Sequence, residues 1–385
     1  MEASLKLGNG DWGVKNDSLL AYDDVGGKFR PLPFDFTRAS SATVVNKQGL
    51  IETVQSGIPR IDFSDDANGA LKLEPQSTNL IPQSEDFSNG SWTKTGSATV
   101  TPNTTISPNG TQNADTLNIF SGNFFFQPII GSGTFTLSCY VKVPNGTLDF
   151  KMQSFNSTDG ANSSGIFVAT TEWQRFEHTV TVTVNSSFYP IQVSGLVGGD
   201  FEIWGAQVEA QSYATSYIPT SGASATRNQE LCKDATLVIN SEEGTLYAEI
   251  SALNSVTFPS SYITISDGTY NNRASILFSQ GATNQIRTFL RVGGATQIDV
   301  SNNVSDVTDF NKIAFSYKLN DFKIYINGTL VSSDTSGSVW SANTVTKLSF
   351  TEINGNTGAF FGNTKGLKYY PKALQDVQLE DLTTI

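Results

Sequence analysis

The sequence predicts an all-β protein: an N-terminal strand-and-turn module followed by two β-sandwich domains. Three observations carry this. Charged residues make up only 16% of the chain, and long runs of the helix-favouring Ala, Leu, Glu, Lys and Arg are missing. Short apolar runs alternate with Ser, Thr, Asn and Gly, the period-2 pattern of strands with one buried face. Phe 25, Tyr 12 and Trp 5 supply core material that a disordered acidic chain would lack. At 385 residues the chain is long enough for two or three domains.

The elements follow in chain order. Val44-Val45, Asn46-Lys47-Gln48-Gly49 and Leu50-Ile51 read as a hairpin whose loop closes on glycine. Short strands are expected at Ile58–Phe63 and Ala70–Leu73, too little to bury a core alone. Phe124-Phe125-Phe126 reads as a strand buried on both faces. Phe135, Leu137, Cys139, Val141 and Val143 share one strand face, and Phe176, His178, Val180, Val182 and Val184 share another. Phe201–Val208 is apolar on both sides, as in an inner strand of a two-sheet sandwich. After the small-residue connector at 221–226, Gly244–Ile250 alternates. Tyr262–Ser266 with Arg273–Phe278, and Ile313–Tyr317 with Phe322–Ile326, form hairpins. Asn327-Gly328 marks a tight turn needing positive φ. Leu374–Leu382 is the one expected helix, with Leu374, Val377, Gln378 and Asp381 at helical spacing.

Composition also excludes. Net charge is −12, with Lys and Arg scattered singly, so the chain lacks the face that binds a phosphate backbone, and nucleic acid is not an expected partner. A single histidine, His178, rules out multi-histidine zinc sites and is read as structural. Cys139 and Cys232 supply no disulfide framework, and Cys139 reads as a small core hydrophobe. No apolar run approaches the ~20 residues that span a bilayer. Met1–Lys6 has no signal-peptide apolar stretch, from which synthesis in the cytoplasm without a secretion signal is expected. Gly131-Ser132-Gly133 lacks the third glycine and helix of a dinucleotide site, and Gly222-Ala223-Ser224-Ala225-Thr226 lacks the second glycine of a nucleophile elbow. Glycosidases need paired carboxylates ~5–9.5 Å apart. Glu202 and Glu209 are an odd number apart, so a regular strand would face them oppositely.

Residues Phe36-Thr37-Arg38-Ala39-Ser40-Ser41-Ala42-Thr43, Gly49–Glu52, Ile58–Phe63, Leu71–Leu80 and Ser84–Ser88 resemble a module of bacteriophage tail-fibre and other virion proteins. Trp173-Gln174-Arg175-Phe176 and Trp204–Glu209 are similar to a carbohydrate-binding-module jelly roll. Phe322–Gly328 and Gly366–Leu374 are similar to a laminin-G/concanavalin A-like sandwich. The resemblance implies a virion-docking or assembly module at 1–86, a jelly roll at 87–220, a linker at 221–235 and a lectin-like sandwich at 236–385. It also implies a virion location in a tail or surface appendage, other virion proteins and further copies of this chain as partners (a homo-oligomer, often a trimer), and adhesion to bacterial surface polysaccharide without catalysis. A purely structural head fibre, decoration or spacer protein, and a polysaccharide depolymerase, are the alternatives.

Sugar recognition sets aromatic faces against pyranose rings, with polar groups reaching the hydroxyls. Trp204 with its neighbour Glu202, Trp340, Tyr270 and Tyr369 are the candidates, although Trp204 reads more readily as core packing. Sandwich lectins often hold calcium in their loops, which makes Asp267, Asp299 and Asp306 candidate ligands. Ser64–Gly69 is a near miss to a calcium loop and reads more readily as a polar turn.

Overall fold

The computed structural model describes residues 3–8, 14–15, 18–23, 28–31, 34–236, 238–255, 261–279, 283–353 and 357–385. The chain is almost entirely antiparallel strand, as the alternation predicts, with one helix among the described residues, Asp376–Thr383. It divides into two units: residues 1–41, 54–75 and 229–385 make the first, and 42–53 with 76–228 the second. The segment 1–86 is therefore shared between the units and is not a body of its own.

In the first unit the central strands of the larger sheet run in the order Leu5–Gly8, Gly362–Tyr370, Glu243–Ala252, Asn311–Lys318, Asp321–Ile326 and Thr329–Asp334. Ala70–Leu73 also pairs with Gly362–Tyr370, and Arg60–Asp62 with Ala70–Leu73. The facing sheet runs Ala235–Thr236, Lys347–Ser349, Ser261–Ser266, Arg273–Phe278, Gln285–Val292 and Ala295–Asn303. Between them lies one core, to which Leu5, Leu7, Leu71 and Leu73 contribute beside Leu246, Ile250, Ile263, Ile276, Phe315 and Phe350. The predicted hairpins at 262–278 and 313–326 are present, and Asn327 and Gly328 take φ +50° and +77°. The helix lays Leu379 on the outer face of the larger sheet, against Tyr247, Tyr325 and Tyr370. Val377, expected on the same helical face as Leu374, is exposed.

The residues of the Phe36–Thr43 motif and its continuation end in a buried ionic cluster within this unit. Arg38 Nη1 lies 2.6 Å from Glu230 Oε1, Arg60 Nε 2.8 Å from the same oxygen, and Arg60 Nη2 2.7 Å from Glu74 Oε2. Arg38 also donates to the carbonyls of Ser40, Gln55 and Ile58. All four side chains are essentially inaccessible to solvent. Burial opposes the charge of Arg60, but Glu230 and Glu74 outweigh it and raise its pKa. Glu230 falls in the expected linker 221–235, which is ordered instead: Ala225–Arg227 pairs with Ser77–Asn79, and Leu231–Lys233 with Asp35–Thr37.

The second unit is also a sandwich. One sheet runs Thr93–Lys94, Phe125–Ile129, Ser186–Gln192, Leu148–Asn156 and Gly160–Ser163. The other runs Thr99–Thr105, Ala114–Phe120, Gly198–Glu209, Gly133–Lys142 and Gln174–Val182. Cys139, Phe125, Phe150, Phe188 and Phe201 meet in the shared core. Gly198–Glu209 is an inner strand as expected, but it does not alternate regularly. Gly205, at φ +65°, sits where the register to Gly133–Lys142 shifts between Ser138 and Tyr140. The bulge turns Trp204 and Glu209 to the same face, so the odd spacing of Glu202 and Glu209 does not separate them. A Cβ at Gly205 would stand 3.2 Å from the Tyr140 ring.

Candidate functional site

The aromatic candidates divide by burial. Trp204 is 1% exposed and packs against Tyr217 at 4.5 Å and Tyr140 at 5.5 Å between ring centroids. Trp340 is 2% exposed, donates its indole N–H to the Arg291 carbonyl at 2.7 Å and packs edge-on against Tyr317. Tyr369 is buried, with its hydroxyl 3.0 Å from that of Tyr317. None of these three offers a ring face to a sugar. Sequence pattern could not tell a loop tryptophan from one folded back into the core. Tyr270 alone is open, at 46% exposure, with the Arg273 guanidinium 5.0 Å from its ring.

The acidic candidates have partners of their own. Glu202 pairs with Lys142 at 3.0 Å. Glu209 is buried and accepts from Ser77 Oγ, Gln207 Nε2 and the Thr215 N–H, so no cleft-lining carboxylate pair arises here. Asp267 caps its own turn through Thr269 and takes a bond from Asn272; these contacts hold its carboxyl below the ordinary range despite partial burial. Asp306 caps Thr308, and Asp299 receives both Nε and Nη2 of Arg287. In the Ser64–Gly69 turn, Asp66 lies 2.6 Å from Lys365 Nζ. Among the described residues no three His, Cys, Asp or Glu side chains come together as a metal site, and the three calcium candidates are not gathered. His178, half-buried, contacts the Asn162 carbonyl at 3.3 Å, and burial lowers its pKa.

The residues that sequence reading missed lie on the outer face of the second unit's first-named sheet. Phe124-Phe125-Phe126 is not buried on both sides. Phe125 enters the core, whereas Phe124 is 38% exposed and Phe126 partly so. Because side chains alternate, pairing strings the outward residues into rows across the sheet. One row runs Thr93, Phe126, Tyr189, Gln153 and Ser163. The next runs Pro128, Ser187, Phe155 and Ala161. Phe126 and Tyr189 stand 5.0 Å apart, Phe124 meets Tyr189 edge-on at 6.2 Å, and Phe155 is 44% exposed. Gln153, opposite Tyr189, accepts from Ser163 Oγ at 2.9 Å. Burial pushes the Tyr189 hydroxyl above its ordinary value.

The strands Phe125–Ile129 and Ser186–Gln192 run directly into an open depression of about 430 Å³. It is lined by Gly131, Ser132, Thr183, Val184 and Asn185. Asn185 Oδ1 accepts the Gly131 N–H at 2.8 Å and fixes that rim. The face thus presents the rings of Phe124, Phe126 and Phe155 around a Tyr189 that is itself buried, with amide and hydroxyl groups in register.

Comparison of the sequence with protein-family models and with curated proteins finds no match. Among solved structures, the carbohydrate-binding module of a Ruminococcus gnavus IT-sialidase, bound to α2,3-sialyllactose, is similar at 14% identity. The match spans 39% of this chain and 93% of that one with a TM-score of 0.33. Domain 4 of a Geobacillus stearothermophilus extracellular arabinanase, in complex with arabinotriose, matches at 17% identity over 45% of this chain and 84% of its own, TM-score 0.33. A heptameric pentraxin from Limulus polyphemus matches at 13% identity over 38% and 72%, TM-score 0.30.

Proposed function

We propose that the chain is a glycan-binding protein without catalytic activity, and that the outer sheet face of the second unit is its binding surface. The observation that supports this is the row Phe126, Tyr189, Gln153 and Ser163, with Phe124 and Phe155 at its margins. Aromatic planes take the C–H faces of pyranose rings, while the amide of Gln153 and the hydroxyls of Ser163 and Ser187 reach ring hydroxyls. A flat, open face suits a stretch of polysaccharide better than one enclosed sugar. The finer reading is an adhesive appendage subunit of a bacteriophage, holding bacterial surface glycan. It rests on the resemblance carried by residues 36–88 and is part of the same proposal. Copies on one particle would multiply weak contacts, with avidity ~10²–10⁴ above a single site.

The test is binding of the full-length protein to an array of bacterial polysaccharides, repeated with Phe126→Ala and Gln153→Ala. We expect saturable binding that Phe126→Ala weakens about tenfold or more, equivalent to ~1.4 kcal/mol, at unchanged melting temperature. Silence across the array, or binding indifferent to both variants, would overturn the assignment of this face.

A further inference from the structure

Three of the chain's eight arginines stand on one sheet face of the first unit, in a protein whose net charge is −12. They belong to the outer side of Arg273–Phe278 and Gln285–Val292. Pairing sets Arg273 directly opposite Arg291, and Phe289 beside both, opposite Ser275. The guanidinium carbons of Arg273, Arg287 and Arg291 lie 4.8, 5.3 and 5.6 Å from the centre of the Phe289 ring, which is only 3% exposed beneath them. Like charges directly opposite on a sheet cost stability. Such an arrangement calls for anions.

The protein supplies two of them. Glu352 Oε1 takes Arg273 Nη1 at 2.8 Å, and Asp299 takes Arg287 through two bonds. Three guanidiniums thus meet two carboxylates. Arg291 has no ion pair or side-chain hydrogen bond among the described residues, and its Nε is buried without a partner. The Nε of Arg273 is likewise buried and unpartnered. Both Nε atoms are closed to solvent, so the terminal Nη groups of the half-buried Arg291 are what remains to meet an external carboxylate, which a guanidinium takes in two-point geometry. Beside the fork stands the open ring of Tyr270, stacked near Arg273.

We propose that this face binds an acidic saccharide: its carboxylate taken by Arg291, and its ring carbons set against Tyr270. The site is independent of the aromatic face of the second unit, and either stands if the other falls. It explains why Tyr270 remains exposed when the other aromatic candidates are buried, and why Asp299 serves Arg287 and not a metal.

The experiment is titration of the full-length protein with glucuronic acid and, separately, glucose, followed by saturation-transfer NMR and calorimetry. Inorganic phosphate and sulfate are run as plain anions. Glucuronic acid is expected to bind and glucose not to. Arg291→Gln should weaken glucuronate at least about tenfold, while Lys47→Gln, which removes one positive charge from an exposed turn, leaves it unchanged. Because Arg291 faces Arg273, the melting temperature of Arg291→Gln should hold or rise. Arg291→Lys, which keeps the charge and loses the fork, should bind at an intermediate level. Equal binding of glucose, phosphate or sulfate overturns the proposal. So does a fall in melting temperature with unchanged glucuronate affinity, which would give Arg291 a packing role alone.

Discussion

Arg38, Arg60, Glu74 and Glu230 show how a short, specific-looking motif can serve the fold and not a ligand. Their four charges balance two against two inside the first unit, out of water, with carbonyls taking the remaining donors. Removing one member of a buried set strands its partner's charge, at a cost of about 3–5 kcal/mol. Glu230→Gln is therefore expected to lower the denaturant midpoint of the first unit by that order, measured by chemical unfolding. An unchanged midpoint would mean the cluster contributes nothing net. The sequence carries Arg38 in its most recognisable stretch, but Glu230 lies 192 positions away in what reads as a linker. Chain distance hid the pairing. The same limit applies to Trp204, which is covered in part by Ile51 from a hairpin far back in the chain.

At the level of elements, alternation was a sound guide wherever a strand stayed regular. The hairpins at 262–278 and 313–326 were legible in this way. It failed at Gly205, where a bulge reverses which side chains look inward, and at Phe124-Phe125-Phe126. Three identical residues carry no alternation to read, so the exposed half of the candidate site stayed invisible. The helix gives a third case. Its contact with the sheet is made by Leu379, which is wholly buried among Tyr247, Tyr325 and Tyr370, while Val377 points to solvent. Leu379→Ala should cost about 2–4 kcal/mol, and Val377→Ser under about 0.5 kcal/mol. Thermal melts of the two variants check this; equal costs would mean the helix is docked by its ends and not by its apolar face.

For the whole molecule, the decisive fact is that the first unit is discontinuous in sequence. Leu5, Leu7, Leu19, Leu71 and Leu73 complete a core whose other buried members follow residue 231. A fragment spanning 229–385 therefore lacks two strands that pair with Gly362–Tyr370, and it is expected to melt without a cooperative transition. A fragment spanning 42–228 retains every strand of the second sandwich and the hairpin whose Ile51 covers Trp204. It should unfold cooperatively, as followed by circular dichroism against temperature. A cooperative transition in the 229–385 fragment would show that the N-terminal strands are ornaments on a self-sufficient core.

That discontinuity also sets a timetable. Chains emerge from the ribosome at ~5–20 residues per second, so Gly362–Tyr370 follows Asn228 by roughly seven to thirty seconds. The second unit can close within that interval. Leu5–Gly8 and Ala70–Leu73 cannot, because the strand they flank has not yet been made. Until then they are unpaired edges, and a message cut short before codon 362 would leave them exposed.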